Sequence, residues 1–210
     1  MPTPPKLLLI TDTPLPSDLD RTIARALTGG IFDLLIRDKG TSDAHLEPLA
    51  RSLRTILHAA GGRLLLHERP EMALRIDADG LHLSEHGMET AQARRLLGTN
   101  RLLGRSCHSV ACAQKHLLAG GDYVTLSPVF VTLSHPDATP LGLERFATMR
   151  DAIPGPVLAL GGIEGENAHA VWQAGASGIA LIRGVFQAQD PADAVRKLLI
   201  MGQSCASIAP

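Results

Sequence analysis

The stretch VLALGGIEGENAHAVWQAGASGIALIRG, residues 157–184, decides the fold. It opens on a short apolar run, Val157–Leu160, and a glycine pair, Gly161-Gly162. A segment of helical spacing follows, about Gly165–Gln173, and Gly175 stops it. A second apolar run, Gly178–Ile182, then begins. Runs this short and this apolar suit strands buried on both faces of a parallel sheet. The same unit recurs upstream. Its apolar runs are Leu7–Thr11, Ile31–Ile36, Arg63–Leu66, Gly80–Leu83, Arg101–Arg105 and Asp122–Leu126. Between the second and third, Leu49, Leu53, Ile56, Leu57 and Ala60 mark one face of a helix. Pro48 after Glu47 is a plausible first helical residue, and Gly61-Gly62 ends the segment. A further helix, Val110–Ala119, also ends in a glycine pair, Gly120-Gly121.

Eight strand–helix units predict an α/β fold, a (β/α)8 TIM barrel built as a single domain over residues 1–200. An open doubly wound sheet is the runner-up, but Thr11-Asp12-Thr13-Pro14 follows the first run in place of a glycine-rich phosphate loop. Met201–Pro210 shows no clear period and is expected to be a C-terminal tail. The 210 residues carry 20 basic and 21 acidic side chains, a net charge of −1, and 3% aromatic residues. That balance gives no global positive field for nucleic acid or an anionic membrane, so neither partner is expected. The apolar runs are too short to span a bilayer, and no basic segment precedes the first of them. Three cysteines, Cys107, Cys112 and Cys205, lack metal spacing and cannot all pair. Free thiols and a cytoplasmic location are expected. Oligomeric state is not legible.

A barrel of this kind places its chemistry at the C-terminal ends of its strands. Those ends carry Arg37, Asp38 and Lys39; His67 and Glu68; His82, Glu85 and His86; Ser106, Cys107 and His108; Ser127, Thr132, Ser134 and His135; Gly161-Gly162; and Ile182-Arg183-Gly184. Gly161-Gly162 at a helix start, beside Arg183-Gly184, matches a phosphate site; the plain alternative is a tight turn needing glycine. Arg37 and Lys39, two apart, share a side if their strand continues, and would hold a second anion; a solvated loop pair is the alternative. The strand-end histidines lack H-x-H and H-E-x-x-H spacing, so lining or hydrogen-bonded roles outweigh a metal site. Cys107 and His108 are neighbours on a strand and point to opposite faces, which disfavours a thiolate–imidazole pair. Asp12 reads as a turn or cap residue.

Several segments, in order, carry a resemblance. They are Leu35-Ile36-Arg37-Asp38-Lys39, His67-Glu68-Arg69-Pro70-Glu71-Met72-Ala73-Leu74, Ala78-Asp79-Gly80-Leu81-His82-Leu83, Gly104-Arg105-Ser106-Cys107-His108-Ser109, Ser127-Pro128-Val129-Phe130 and Leu160-Gly161-Gly162-Ile163. Together they resemble the thiamine-phosphate synthase / thiazole tautomerase family over nearly all of residues 5 to 200. The resemblance implies a transferase of thiamine biosynthesis acting on small phosphorylated substrates. A pyrimidine diphosphate loses pyrophosphate, and the thiazole-phosphate nitrogen captures the resulting cation, with Mg2+ on the pyrophosphate. It also implies roles. Arg37 and Lys39 take the pyrophosphate, and Ser106 lies near the pyrimidine. Thr132, Ser134 and His135 belong to the loop over the pyrophosphate. Gly162, Ile182 and Arg183 hold the thiazole phosphate.

The departures from the family pattern are specific. Leu35 stands where the synthases have Gln, His67-Glu68 where they have Asn-Asp, Gly87 at the second Mg2+ aspartate, and His135 at a lysine. Glu68 is left as the candidate metal ligand. This thinning favours the tautomerase branch, an isomerase with His108 or Glu68 as base, but Pro128 stands where that branch has His. A phosphate-binding barrel without catalysis is the third possibility.

Overall fold

The computed structural model describes residues 2–133 and 136–206, apart from the side chains of 205 and 206. Eight parallel strands close into a barrel in chain order: β1 (Leu7–Ile10), β2 (Asp33–Ile36), β3 (Leu64–His67), β4 (Gly80–Leu83), β5 (Leu102–Cys107), β6 (Tyr123–Leu126), β7 (Val157–Leu160) and β8 (Gly178–Leu181). Leu7 on β1 pairs with Ile179 on β8 to close it. The helices are α1 (Leu19–Leu27), α2 (Asp43–Ala59), α3 (Pro70–Arg75), α4 (Thr90–Leu97), α5 (Val110–Leu118), α6 (Gly142–Asp151), α7 (Ala168–Gln173) and α8 (Pro191–Ala206). This is the (β/α)8 architecture that the apolar runs predict.

Strand periodicity divides the core in two. One set of residues, including Leu7, Leu9, Leu34, Ile36, Leu64 and Leu66, packs outward against the helices. The alternate set, including Leu8, Leu35, Leu65, Leu102, Tyr123, Leu158 and Ala180, fills the barrel. Gly104 is required by this packing, because a Cβ there would lie 2.2 Å from the Tyr123 ring.

Several boundaries differ from the sequence reading. The helix after β2 begins at Asp43, so Pro48 lies inside it. Pro48 is exposed there, past the first turn, where its missing N–H leaves the carbonyl four residues back without its helical donor. The expected tail from Met201 is corrected in part, because α8 continues to Ala206. Leu199 and Met201 pack on the outer core, and Gly202 lies against Trp172, which keeps the segment helical. Residues 207–210 lie outside the described residues. Strand β5 runs to Cys107, two residues beyond the expected end, and so carries Ser106 within the sheet.

Candidate active site

Continuing the inward parity of each strand past its last rung generates the site. Ile10, Leu35, Arg37, Lys39, His67, His82, Ser84, Ser106, His108, Ser127, Leu160 and Ile182 all keep that parity. All of them line one cavity of about 380 Å³ at the C-terminal mouth. Glu85, Pro128, Thr132 and Gly161 complete its rim. Arg37, Lys39, Ser106 and His108 are thus brought together. Ser134 and His135 lie outside the described residues.

Arg37 is fixed through its backbone. Its N–H donates to Thr11 Oγ1 at 2.9 Å, and its carbonyl accepts from the same hydroxyl at 3.1 Å. No carboxylate among the described residues pairs with Arg37 or Lys39, so both charges are available to a ligand. Asp38 between them has a different task. Burial raises its pKa, but hydrogen bonds from Thr41 and Gly40, with the Arg69 charge, outweigh that and hold it below the usual value. Arg69 also donates to the carbonyls of Asp38 and Thr41, bracing the turn that presents Lys39.

A buried polar chain runs up the barrel from Tyr123. Its hydroxyl lies 3.0 Å from His82 Nδ1, and His82 Nε2 lies 3.0 Å from Ser106 Oγ. Burial pushes the His82 pKa far down, so the ring is neutral. His82 is the only partner of the Tyr123 hydroxyl among the described residues, so the hydroxyl donates to Nδ1. The His82 Nε2–H then donates to Ser106. Thr125 also donates to Ser106, at 3.4 Å. The Ser106 O–H is therefore left to point into the cavity as a donor. Two residues beyond Ser106, His108 Nδ1 lies 2.7 Å from the carbonyl of Ser127 on the neighbouring strand end, which can only accept. The Nδ1 nitrogen carries the proton, and His108 Nε2 lies 4.0 Å from Oε2 of Glu85, which lines the same cavity. Sequence reasoning missed Tyr123 and Ser84 as parts of this site; carrying the inward parity past the end of β4 would have found Ser84, whereas Tyr123, at the start of β6, enters only through its contact with His82.

Burial leaves further histidines neutral. His67, stacked 6.3 Å from His82, is pushed down to about 4, and His116, between Thr90 and the Leu103 carbonyl, also to about 4. These groups bind protons more readily in the unfolded chain. Their contribution to stability is therefore complete above pH ~6.5 and is lost as the pH falls towards 4, each at up to about 1.4 kcal/mol per pH unit. The melting temperature is expected to drop steeply between pH 6.5 and 5, and less steeply in His116→Gln. Equal slopes in the two proteins would contradict this assignment.

A smaller cavity of about 170 Å³ adjoins the first through Thr132, Leu160, Gly161 and Ile182. It is lined by Gly161, Gly162, Ile163, Arg183, Gly184 and Gln187. Gly161 (φ 101°) and Gly162 (φ 63°), both lining it, adopt left-handed backbone that only glycine takes freely. The backbone N–H groups of Gly162, Ile163, Arg183 and Gly184 have no acceptor among the described residues. Converging backbone donors of this kind form an anion cradle. One expectation is corrected here. The helix does not start at the glycine pair, because α7 begins at Ala168, after a turn in which Asn167 binds Gly162 O and Glu164 N. The cradle is a loop, and no helix end contributes to it. Arg183 contributes backbone, while its guanidinium turns 3.0 Å to Asp12. Asp12 is thus an ion-pair partner as well as a turn residue.

Among the described residues the carboxylates do not form a paired magnesium site. Glu68 lines an adjoining pocket with Asp38, Asp43, Glu71, Lys39, His67 and Ser84; its Oε1 already accepts from the Ser84 N–H, while Asp38 is taken up by Gly40 and Thr41 and Asp43 by Arg69 and Arg75. A Cβ on Gly87 would lie 2.1 Å from that same oxygen, so position 87 faces Glu68 but offers no ligand. Among the described residues no group of three His, Cys, Asp or Glu could hold a metal ion. Direct Mg2+ affinity is expected to be weak. Gly87→Asp, after a shift of the flexible Glu68 end, is expected to strengthen it on the order of tenfold in calorimetric titration. An unchanged titration would separate position 87 from Glu68.

Comparison with known proteins gives a consistent result. The family described as thiamine monophosphate synthase matches residues 7–185. A putative thiamine-phosphate synthase of Geobacter sulfurreducens is 39% identical, with 93% of each chain covered. The thiamine-phosphate synthase of Chloroflexus aurantiacus is 37% identical, over 92% of this chain and 90% of its own. Among solved structures, thiamine phosphate pyrophosphorylase from Pyrococcus furiosus superposes with a TM-score of 0.85 at 30% identity, covering 95% of this chain and 96% of that one.

Proposed function

The chain belongs to the thiamine monophosphate synthase family, and from that premise we propose that it joins a pyrimidine diphosphate to a thiazole phosphate with release of pyrophosphate. One observation carries the reading to this site: two anion-binding elements face adjoining cavities. Arg37 and Lys39, with no carboxylate partner among the described residues, stand on one wall, and the cradle of backbone N–H groups after β7 and β8 lies beyond Gly161.

In this reading the diphosphate lies against Arg37 and Lys39. The C–O bond to the pyrimidine methylene breaks, and pyrophosphate leaves with the electron pair. Its growing charge is met by two fixed cations. The Ser106 O–H orients the pyrimidine. The thiazole phosphate sits in the backbone cradle, which holds its ring nitrogen towards the cationic carbon. The nitrogen lone pair then forms the new C–N bond. Ile10, Leu35, Leu160 and Ile182 keep water from the cation before capture. Glu68 is the carboxylate that would hold magnesium, which would supply charge to the departing pyrophosphate, and no step here depends on it.

The test mixes both substrates with the protein, with and without Mg2+, and measures thiamine phosphate and pyrophosphate. Formation of both products in equal amounts supports the reading. Proton exchange on a thiazole phosphate without product would support an isomerase instead, and neither outcome would leave a binding protein.

A further inference from the structure

Cys107 and Cys112 are outside the chemistry described above. Cys107 ends β5 with outward parity and is fully buried, opposite in direction to Ser106 and His108, which flank it in sequence and line the cavity. Cys112 lies in the first turn of α5, half-buried, where its N–H donates to the capping hydroxyl of Ser109. The two sulfurs are 3.0 Å apart. A disulfide needs about 2.05 Å, so closing this pair asks for a shift of roughly one ångström at the start of α5.

We infer that Cys107 and Cys112 form a dithiol oxidation site, closed to a disulfide by small hydroperoxides, which distorts the β5–α5 turn carrying His108. The half-buried Cys112 is the sulfur a hydroperoxide can reach. Burial, then the hydrogen bond and charge of Cys112, push the Cys107 thiol up, so Cys107 is the resolving partner. The Cys112 thiolate attacks the outer peroxide oxygen. The O–O bond breaks, giving a sulfenic acid and one water from hydrogen peroxide. The Cys107 sulfur then attacks the Cys112 sulfur, the S–O bond breaks, and the hydroxide leaves with the Cys107 proton as a second water. The dithiol loses two electrons and the peroxide gains them.

Between the sulfurs lie His108 and Ser109. His108 is tied to Ser127 at the end of the neighbouring strand β6, and Ser109 caps α5. A bond between the sulfurs pulls on this turn from behind, while Ser106 stays on the barrel side. The coupling to activity rests on the synthase reading; the covalent step does not.

The experiment treats the reduced, folded protein with hydrogen peroxide and counts thiols by alkylation and intact mass. The chain has 3 cysteines. Alkylatable thiols are expected to fall from three to one, with a loss of two hydrogens and a Cys107–Cys112 crosslinked peptide. The same crosslink is expected in Cys205→Ala. Cys112→Ser, a change at a half-buried position, is expected to keep its remaining thiols and form no crosslink. Turnover of the oxidised protein is expected to fall several-fold and return with dithiothreitol, and turnover of Cys112→Ser is expected to resist peroxide. A crosslink that requires Cys205, or Cys112 that passes to its sulfinic acid without pairing, would overturn the dithiol. Full turnover in a verified Cys107–Cys112 disulfide would overturn the coupling to the site.

Discussion

Arg37→Lys is expected to lower turnover with the pyrimidine diphosphate by about 2–4 kcal/mol in activation free energy, on the order of 30- to 1000-fold. In the proposed reaction the guanidinium would grip two phosphate oxygens in a planar fork, which an ammonium cannot copy. Its backbone is pinned by Thr11, so the shorter reach of lysine is not recovered by movement of the strand end. Pyrophosphate gains charge as the C–O bond breaks, so the fork contributes more in the transition state than in the ground state. The loss should therefore fall on kcat, while the KM for the thiazole phosphate stays nearly unchanged. Lys39→Ala should fall in the same parameter with a smaller effect, because Lys39 is exposed and partly screened. Steady-state kinetics with each substrate varied in turn would check both. Synthase turnover that survives both substitutions would remove the charge-clamp role. An isomerase that makes no pyrophosphate would show the change in substrate affinity alone.

The sequence displayed the barrel because eight apolar runs, each ended by a glycine or a polar cluster, have one economical arrangement. The site followed from the same periodicity. Arg37 and Lys39 share a face with Leu35, as their i, i+2 spacing requires, and the structure places all three on one cavity. What the sequence concealed depends on contacts between distant elements. The Asp12–Arg183 pair joins residues 171 apart. The helix after β7 starts six residues beyond Gly162 because Asn167 folds the intervening turn, an arrangement that no local propensity announces. Glu68 occupies left-handed backbone, φ 55°, where Asn or Asp is more usual; a one-letter reading of His67-Glu68 shows the changed ligand but not that strain. Arg105 was hidden most completely, because a charged residue in an apolar run suggests a strand edge rather than a buried brace.

That arginine gives the second large effect. Arg105 is 6% exposed, with no carboxylate partner among the described residues. Its Nη1 donates to the carbonyls of Ser84 and Glu85 at 2.8 and 2.9 Å, and its Nη2 donates to Met88 O. One guanidinium thus holds the turn between β4 and α4 against β5. That turn carries Ser84 and Glu85 into the cavity and Gly87 against Glu68. Arg105→Met keeps the apolar stem and deletes the donors. It leaves three carbonyls without this partner, each charge-assisted bond being worth about 1.5–3 kcal/mol. Because the three share one side chain and water can reach part of the relaxed turn, the sum is not additive. A loss of about 3–5 kcal/mol, as for breaking a buried ionic contact, is expected in urea unfolding. Arg105→Lys should recover only part of it, since one ammonium can satisfy one or two of the three acceptors. Because Ser84 and Glu85 move with the turn, the folded Arg105→Lys protein should also bind the pyrimidine diphosphate more weakly, while the backbone cradle after β7 and β8 keeps its affinity for the thiazole phosphate. Stability within about 1 kcal/mol of the unmodified protein would mean that water replaces the guanidinium at little cost, and the turn would then owe its position to the strand ends alone.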